Sequence, residues 1–188
     1  MRTILVIGLF LLIFGIPIRY AYIQQARLRN WRTVEPDLLY RSGKLSLAGL
    51  ERAIRENGIK SVVTFRAEES GPQPDPEEEA LCRQLGLRYE RIVYRQWTAP
   101  SGPPPADRSV AEFFQLMDQR KEIGPILVHC LAGKHRTGAF VALYRMEYQH
   151  WANADAIAEM QAGGYDGIAN EDDVRGYLER FVPRAHRK

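Results

Sequence analysis

The sequence predicts an α/β domain: a central, mainly parallel sheet flanked by helices. Three observations predict it. β-branched runs such as Ser61-Val62-Val63-Thr64-Phe65 alternate with longer helical stretches. Glycines and prolines punctuate the boundaries between the two. The last strand, residues 125–129, is a continuous apolar run, the pattern of a strand covered on both faces.

The elements follow in order. Residues 38–41 form a short strand stopped by Ser42-Gly43. Ser46 caps a helix that runs to Asn57 and ends at Gly58. Residues 59–65 are the next strand. Residues 70–76 hold three prolines and a glycine and so form a loop. A helix over 77–85 stops at Gly86, and 87–94 alternates as a strand does. Residues 99–105 are a second proline-rich loop, after which Asp107 or Ser109 caps a helix to about Arg120. Beyond the strand at 125–129, helices over 138–149, 154–162 and 171–181 close the domain.

A length of 188 residues suits one domain, here placed at 36–182, plus short appendages. The N-terminal segment 1–23 differs in kind. Thr3 to Ile18 is uncharged and almost wholly apolar, with Arg2 before it and Arg19 after. It reads as an uncleaved, single-pass membrane anchor, with a cleaved signal peptide as the alternative. Residues 24–35 read as a polar linker and 183–188 as a basic tail. Arg19, Arg27, Arg29 and Arg32 follow the apolar run, so the positive-inside bias puts the domain in the cytoplasm. Export to the periplasm or beyond is the competing reading.

A net charge of +3 with no long basic run gives no argument for a nucleic-acid partner. The only cysteines, Cys82 and Cys130, make no disulfide framework. With His129, His135, His150 and His186 they form no metal-ligand pattern, so neither a metal nor a cofactor is expected. Cys82 reads as a core residue.

The informative stretch is His129-Cys130-Leu131-Ala132-Gly133-Lys134-His135-Arg136-Thr137-Gly138, between a buried strand and a helix. In that setting residues 130–136 curl so that successive backbone N–H groups point into one concavity, an anion nest. The following helix adds its positive end. Gly133 permits a backbone angle that a β-carbon resists. Arg136 offers a planar fork for two phosphate oxygens. A thiol at such a site ionises readily, which makes Cys130 a nucleophile at the bottom of a phosphate cradle. Leu131, Ala132, Gly133, Lys134, His135 and Arg136 are the expected phosphate-binding residues. The Thr137 hydroxyl is expected to stabilise the departing thiolate. A buried core cysteine is the bland alternative, and it leaves the conjunction of Gly133, Arg136 and Thr137 unexplained.

These residues resemble the protein tyrosine and dual-specificity phosphatase superfamily, whose signature H-C-x5-R-[ST] stands here as His129, Cys130, Arg136 and Thr137. Leu39-Tyr40-Arg41-Ser42-Gly43 and Gly58-Ile59-Lys60-Ser61-Val62-Val63 are similar to the opening of its compact, atypical dual-specificity branch. Residues 133–138 look like the inositol-pyrophosphatase members. Trp151 with residues 156–160 looks like the bacterial ones. The resemblance implies a phosphatase acting through a cysteinyl-phosphate. Its substrates would be phosphoproteins (phosphotyrosine or phosphoserine/threonine) or inositol polyphosphates and pyrophosphates.

The superfamily carries an aspartate general acid on a loop upstream of the cysteine. Here that region reads Gln96-Trp97-Thr98-Ala99-Pro100, without a carboxylate. Asp107 is the leading candidate, against a plain capping role; Glu68, Glu69 and Asp75 are weaker ones. Lys134 and His135 add charge for a polyanion or simply face solvent. Arg41 and Arg66 end strands, where they reach the phosphate mouth or make surface ion pairs. Two readings outside the phosphatase class stay open: a membrane-tethered phosphate-binding module with weak catalysis, and a sulfurtransferase.

Overall fold

The structure is a computed structural model that describes residues 14–16, 19, 28–69 and 72–186. Five strands form one sheet in the order β1-β2-β5-β3-β4. They are β1 (Arg32–Glu35), β2 (Leu39–Gly43), β3 (Ser61–Ala67), β4 (Arg88–Val93) and β5 (Ile126–Cys130). Only β1 runs antiparallel to its neighbour; β2, β3, β4 and β5 are mutually parallel where they pair. The expected α/β architecture is therefore the observed one.

Side-chain alternation on the strands divides the core. Val63, Phe65, Ile126 and Val128 face one cluster, and Val62 and Leu127 face the other. The second cluster is closed by α1 (Leu47–Asn57) and α2 (Pro76–Gln84), which bury Leu50, Ala53 and Cys82. Ser46 caps α1 through its hydroxyl, and Gly58 ends it in the left-handed conformation, as its sequence predicts. Cys82 is fully buried, and burial pushes its thiol up to about 12.

The first cluster is larger. It lies under α3 (Ala106–Asp118), α5 (His135–Tyr148), α6 (Asn153–Ala162) and α7 (Asp172–Arg180), with the short α4 (Arg120–Ile123) leading into β5. From Thr137 to Met146, α5 is buried on every side, so its sequence has no polar face. Phe140 stacks on Phe65 with ring centroids 4.2 Å apart and meets Phe113 edge-on. Such pairs add about 0.5–1.5 kcal/mol each beyond area burial. These contacts fix the N-terminus of α5 over the C-terminal end of β5.

Three expectations are corrected. The membrane anchor expected over residues 1–23 lies outside the described residues except for 14–16 and 19. No helix among the described residues is long and apolar enough to cross a membrane. A sixteen-residue run from Thr3 to Ile18 also falls short of the roughly 20 residues a span needs. The single-pass membrane location, and the membrane as a partner, fall with it. The second correction concerns residues 24–35, expected as linker. Arg32–Glu35 is the sheet's edge strand, and Leu28 and Trp31 pack against the core, with Trp31 stacked on Tyr40 at 5.2 Å. The third is the basic tail: Arg184 is docked, pairing with Asp118 at 2.7 Å and Glu147 at 2.6 Å. That pairing holds the Asp118 carboxyl at about 2.

Candidate active site

β5 is the central strand, with Gly43 of β2 beside Cys130 and Thr64 of β3 beside His129. The chain leaves β5 at its carboxyl end, where open parallel sheets place their ligands. It turns through Leu131–Lys134 and enters α5 at His135. Cys130 is 4% exposed and lies at the bottom of a cavity of about 490 Å³. Leu131, Ala132, His135 and Arg136 line one wall; Arg66, Glu68, Pro72 and Pro74 line the other.

The backbone of the loop is turned as an anion cradle requires. Gly133 has φ 73°, and its N–H donates to the Cys130 sulfur at 3.3 Å. A β-carbon there would lie 2.4 Å from the Gly43 nitrogen and the Ser42 carbonyl carbon. Glycine is thus required by both backbone angle and space. The Leu131 carbonyl accepts from the Lys44 N–H at 3.1 Å, and the Ala132 carbonyl from the Asn30 side chain at 2.7 Å. The Gly133 carbonyl accepts from Arg41 at 2.8 Å.

Arg136 donates to the Phe65 carbonyl at 3.2 Å, and its guanidinium lies 4.3 Å from the centre of the Tyr94 ring. That leaves further donors of its fork for an anion. Thr137 is fully buried and its hydroxyl makes no hydrogen bond. His129 lies beneath the loop and exchanges a 2.9 Å hydrogen bond with Glu78, which also accepts from Tyr89 at 2.9 Å. Burial, reinforced by Glu78, pushes the Tyr89 hydroxyl far up, so it stays a donor.

Lys134 does not line the cavity; its side chain runs toward Gly164. His135 stacks on Tyr165 with centroids 4.9 Å apart and sits 3.4 Å from Glu171. Burial lowers its pKa from the ordinary 6.5, against the pull of Glu171. Asp107 lies in the first turn of α3, where it accepts from Tyr177 at 2.8 Å, and it does not line the cavity. Pro105, rather than Asp107 or Ser109, precedes the helix.

Of the other carboxylates, Glu69 pairs with Arg95 at 2.8 Å. Asp75, with φ 59° at the start of α2, pairs with Lys44 and with Arg66 at 3.2 Å. Glu68 lines the cavity and makes no ion pair with a described residue.

Sequence reasoning missed Glu78, Tyr94 and Asn30, and weighted Arg41 toward a surface pair. Arg41 is 2% exposed. Glu78 carried a faint signal: it stands four residues before Cys82, on the buried face of α2.

A family model described as a DSP-PTPase phosphatase fused to NAD+ kinase matches residues 20–176. The chain is 32% identical over 182 residues to the dual specificity protein phosphatase TpbA of Pseudomonas aeruginosa, covering 90% of this chain and 73% of that one. It is 30% identical over 132 residues to the inositol diphosphatase DSP5 of Arabidopsis thaliana, covering 70% and 60%. The crystal structure of P. aeruginosa TpbA superposes with a TM-score of 0.63 at 25% identity, over 82% of this chain and 86% of that one. The catalytic core of the PP-IP phosphatase Siw14 of S. cerevisiae gives 0.64 at 18%, over the same shares, which is a likeness of fold.

Proposed function

The chain belongs to the family of cysteine-dependent dual-specificity phosphatases, and we propose that its substrates are aryl phosphates, above all phosphotyrosine in proteins. Hydrolysis of phosphate through the cysteine follows from the family. The substrate class rests on what lines the cavity mouth. Leu131 is 57% exposed there, and Pro72 and Pro74 stand opposite. Apolar walls around a phosphate cradle suit an aromatic ring carried by a single phosphate.

The cations a polyanionic substrate needs are otherwise engaged. Arg66 is paired with Asp75, Lys134 lies off the cavity, and His135 is held toward its neutral form. An inositol polyphosphate would find few free donors where it needs them. The likeness to DSP5 and the sequence of residues 133–138 speak for that alternative.

In the proposed reaction the Cys130 sulfur attacks phosphorus in line with the leaving oxygen. The S–P bond forms as the P–O bond to the phenol breaks. Charge on the three equatorial oxygens is met by the loop N–H groups and Arg136. Glu68 gives its proton to the departing phenolate. It then takes one from the water that breaks the S–P bond, releasing inorganic phosphate and restoring the thiolate. Thr137 supplies a hydroxyl to the sulfur as it departs. Asp107, the acid favoured by sequence, is assigned instead to bracing α3 against α7 through Tyr177.

The test is a comparison of kcat/KM on a phosphotyrosyl peptide with phosphate release from an inositol polyphosphate. The peptide should be preferred by at least 10-fold (~1.4 kcal/mol). Equal or better turnover of the inositol polyphosphate would sink the substrate assignment.

A further inference from the structure

An anion nest works only if the peptide planes of its loop are turned so that N–H groups face in and carbonyls face out. Left alone, a glycine-containing loop has no reason to prefer that orientation, since Gly133 is free to flip. Here three successive carbonyls are held from behind. The Lys44 N–H takes Leu131, Asn30 takes Ala132, and Arg41 takes Gly133, at 3.1, 2.7 and 2.8 Å. Arg41 lies in β2, Lys44 directly follows it, and Asn30 precedes β1. Gly43 lies against the loop there: a β-carbon on it would fall 2.9 Å from the Ala132 oxygen.

Arg41 has a further peculiarity. It is 2% exposed, makes no ion pair with a described residue, and its Nε has no hydrogen-bond partner. A buried cation without a counter-ion is costly. Burial lowers the Arg41 pKa to about 10, still above neutrality, so it stays charged. The charged or ionisable groups that act on it are Glu159, Arg32, Cys130 and Arg145, and Glu159 is already hydrogen-bonded to Arg145. The Cys130 sulfur lies one residue away through Gly133, whose N–H donates to it and whose carbonyl accepts from Arg41.

We propose that Arg41 is a positioning residue of the phosphate loop: with Asn30 and the Lys44 amide it holds three carbonyls outward, and it sets a buried positive charge behind the Cys130 sulfur. The inference rests on the phosphatase reading of the loop. It explains why the segment before β2 belongs to the folded domain: Asn30, with φ 50°, reaches a loop 102 residues away.

The test uses the full chain with Arg41→Met, Arg41→Lys and Asn30→Ala, each checked for folding by circular dichroism. Two quantities are read: orthovanadate inhibition of p-nitrophenyl phosphate turnover, and the pH dependence of Cys130 alkylation by iodoacetamide. Cys82, buried with its thiol pushed up to about 12, does not compete. Arg136 and His135 line the loop side of the cavity and Glu68 the other, and all remain in place in every variant.

Arg41→Met and Asn30→Ala should each weaken vanadate inhibition roughly 10- to 100-fold, the loss expected from removing a buried or charge-assisted hydrogen bond. Arg41→Met should also move the alkylation midpoint to higher pH. Arg41→Lys should restore that midpoint without restoring vanadate affinity. Asn30→Ala, which removes no charge, should leave the midpoint alone. A folded Arg41→Met with wild-type inhibition and midpoint overturns the proposal. If Arg41→Met does not fold, wild-type inhibition in Asn30→Ala, whose site is exposed, overturns it. Wild-type protein that vanadate does not inhibit would instead break the phosphatase reading, so the two failures are distinct.

Discussion

The loop from Cys130 to Arg136 is held by hydrogen bonds to its backbone, whereas Glu69 and Asp75 on the facing wall are held by ion pairs. Leu131, Ala132 and Gly133 each have a carbonyl tied down, and the Lys134 carbonyl accepts from Gly138 in the first turn of α5. Across the cavity, Asp75 joins Lys44 and Arg66, and Glu69 joins Arg95. The difference matches the two tasks. Binding an anion with backbone N–H groups demands fixed directions, and directional bonds supply them. The Glu69 pair, with its carboxylate 64% exposed, contributes only about 0–1 kcal/mol, whereas Asp75 is buried between its two cations.

The largest expected effect falls on the loop wall. Cys130→Ser should cut turnover by at least about 10⁴-fold, since a serine hydroxyl is not ionised at neutral pH. Binding of tungstate should survive, because the cradle is backbone. Steady-state kinetics and calorimetry measure the two. Retention of more than a few per cent of activity would remove Cys130 from the nucleophile's role.

A second contrast separates loop rigidity from glycine chemistry in general. Gly133→Ala forces a β-carbon against backbone at 2.4 Å, whereas Gly58→Ala meets nothing within 4 Å despite φ 61°. Gly133→Ala should cost about 3 kcal/mol or more and abolish anion binding. Gly58→Ala should cost about 1 kcal/mol and leave activity alone. Denaturant unfolding compares them, and similar losses would mean that the loop is looser than its contacts indicate.

On the facing wall the effects are smaller and depend on the leaving group. Glu68→Gln should slow phosphotyrosine hydrolysis roughly 10²-fold while slowing p-nitrophenyl phosphate, whose phenolate leaves unaided, far less. Asp107→Asn should lower stability slightly through the lost Tyr177 contact and spare the leaving-group dependence. Kinetics on both substrates for both variants decide the assignment, and the reverse pattern would return the acid's role to Asp107.

The smallest effect is titration of His135 at the rim. Its folded pKa lies below the ordinary 6.5, because burial outweighs Glu171 and Asp173 while Arg136 adds to the lowering. The unfolded chain therefore binds the proton more tightly. The resulting stability is fully present above about 6.5 and is lost as pH falls through the folded value. His135→Asn should flatten the thermal midpoint across that window. An unchanged slope would place the acid sensitivity elsewhere.

The sequence by itself determined the alternation of strands and helices, the caps at Ser46 and Gly58, and the strand-to-helix turn that carries Cys130, Gly133, Arg136 and Thr137. Each of these is written in adjacent residues: a capping hydroxyl, a left-handed glycine, a strand-to-helix turn. Tertiary structure alone decided which carboxylate faces the cavity, because Glu68 and Asp107 differ in location rather than local pattern. It also decided that Arg41 is buried, that Asn30 and Arg32–Glu35 belong to the domain, and that Glu78 orders His129 from 51 residues away. These depend on β5 settling between β2 and β3. No local propensity encodes that placement; it follows from burying both faces of the sheet at once, which makes distant residues into neighbours.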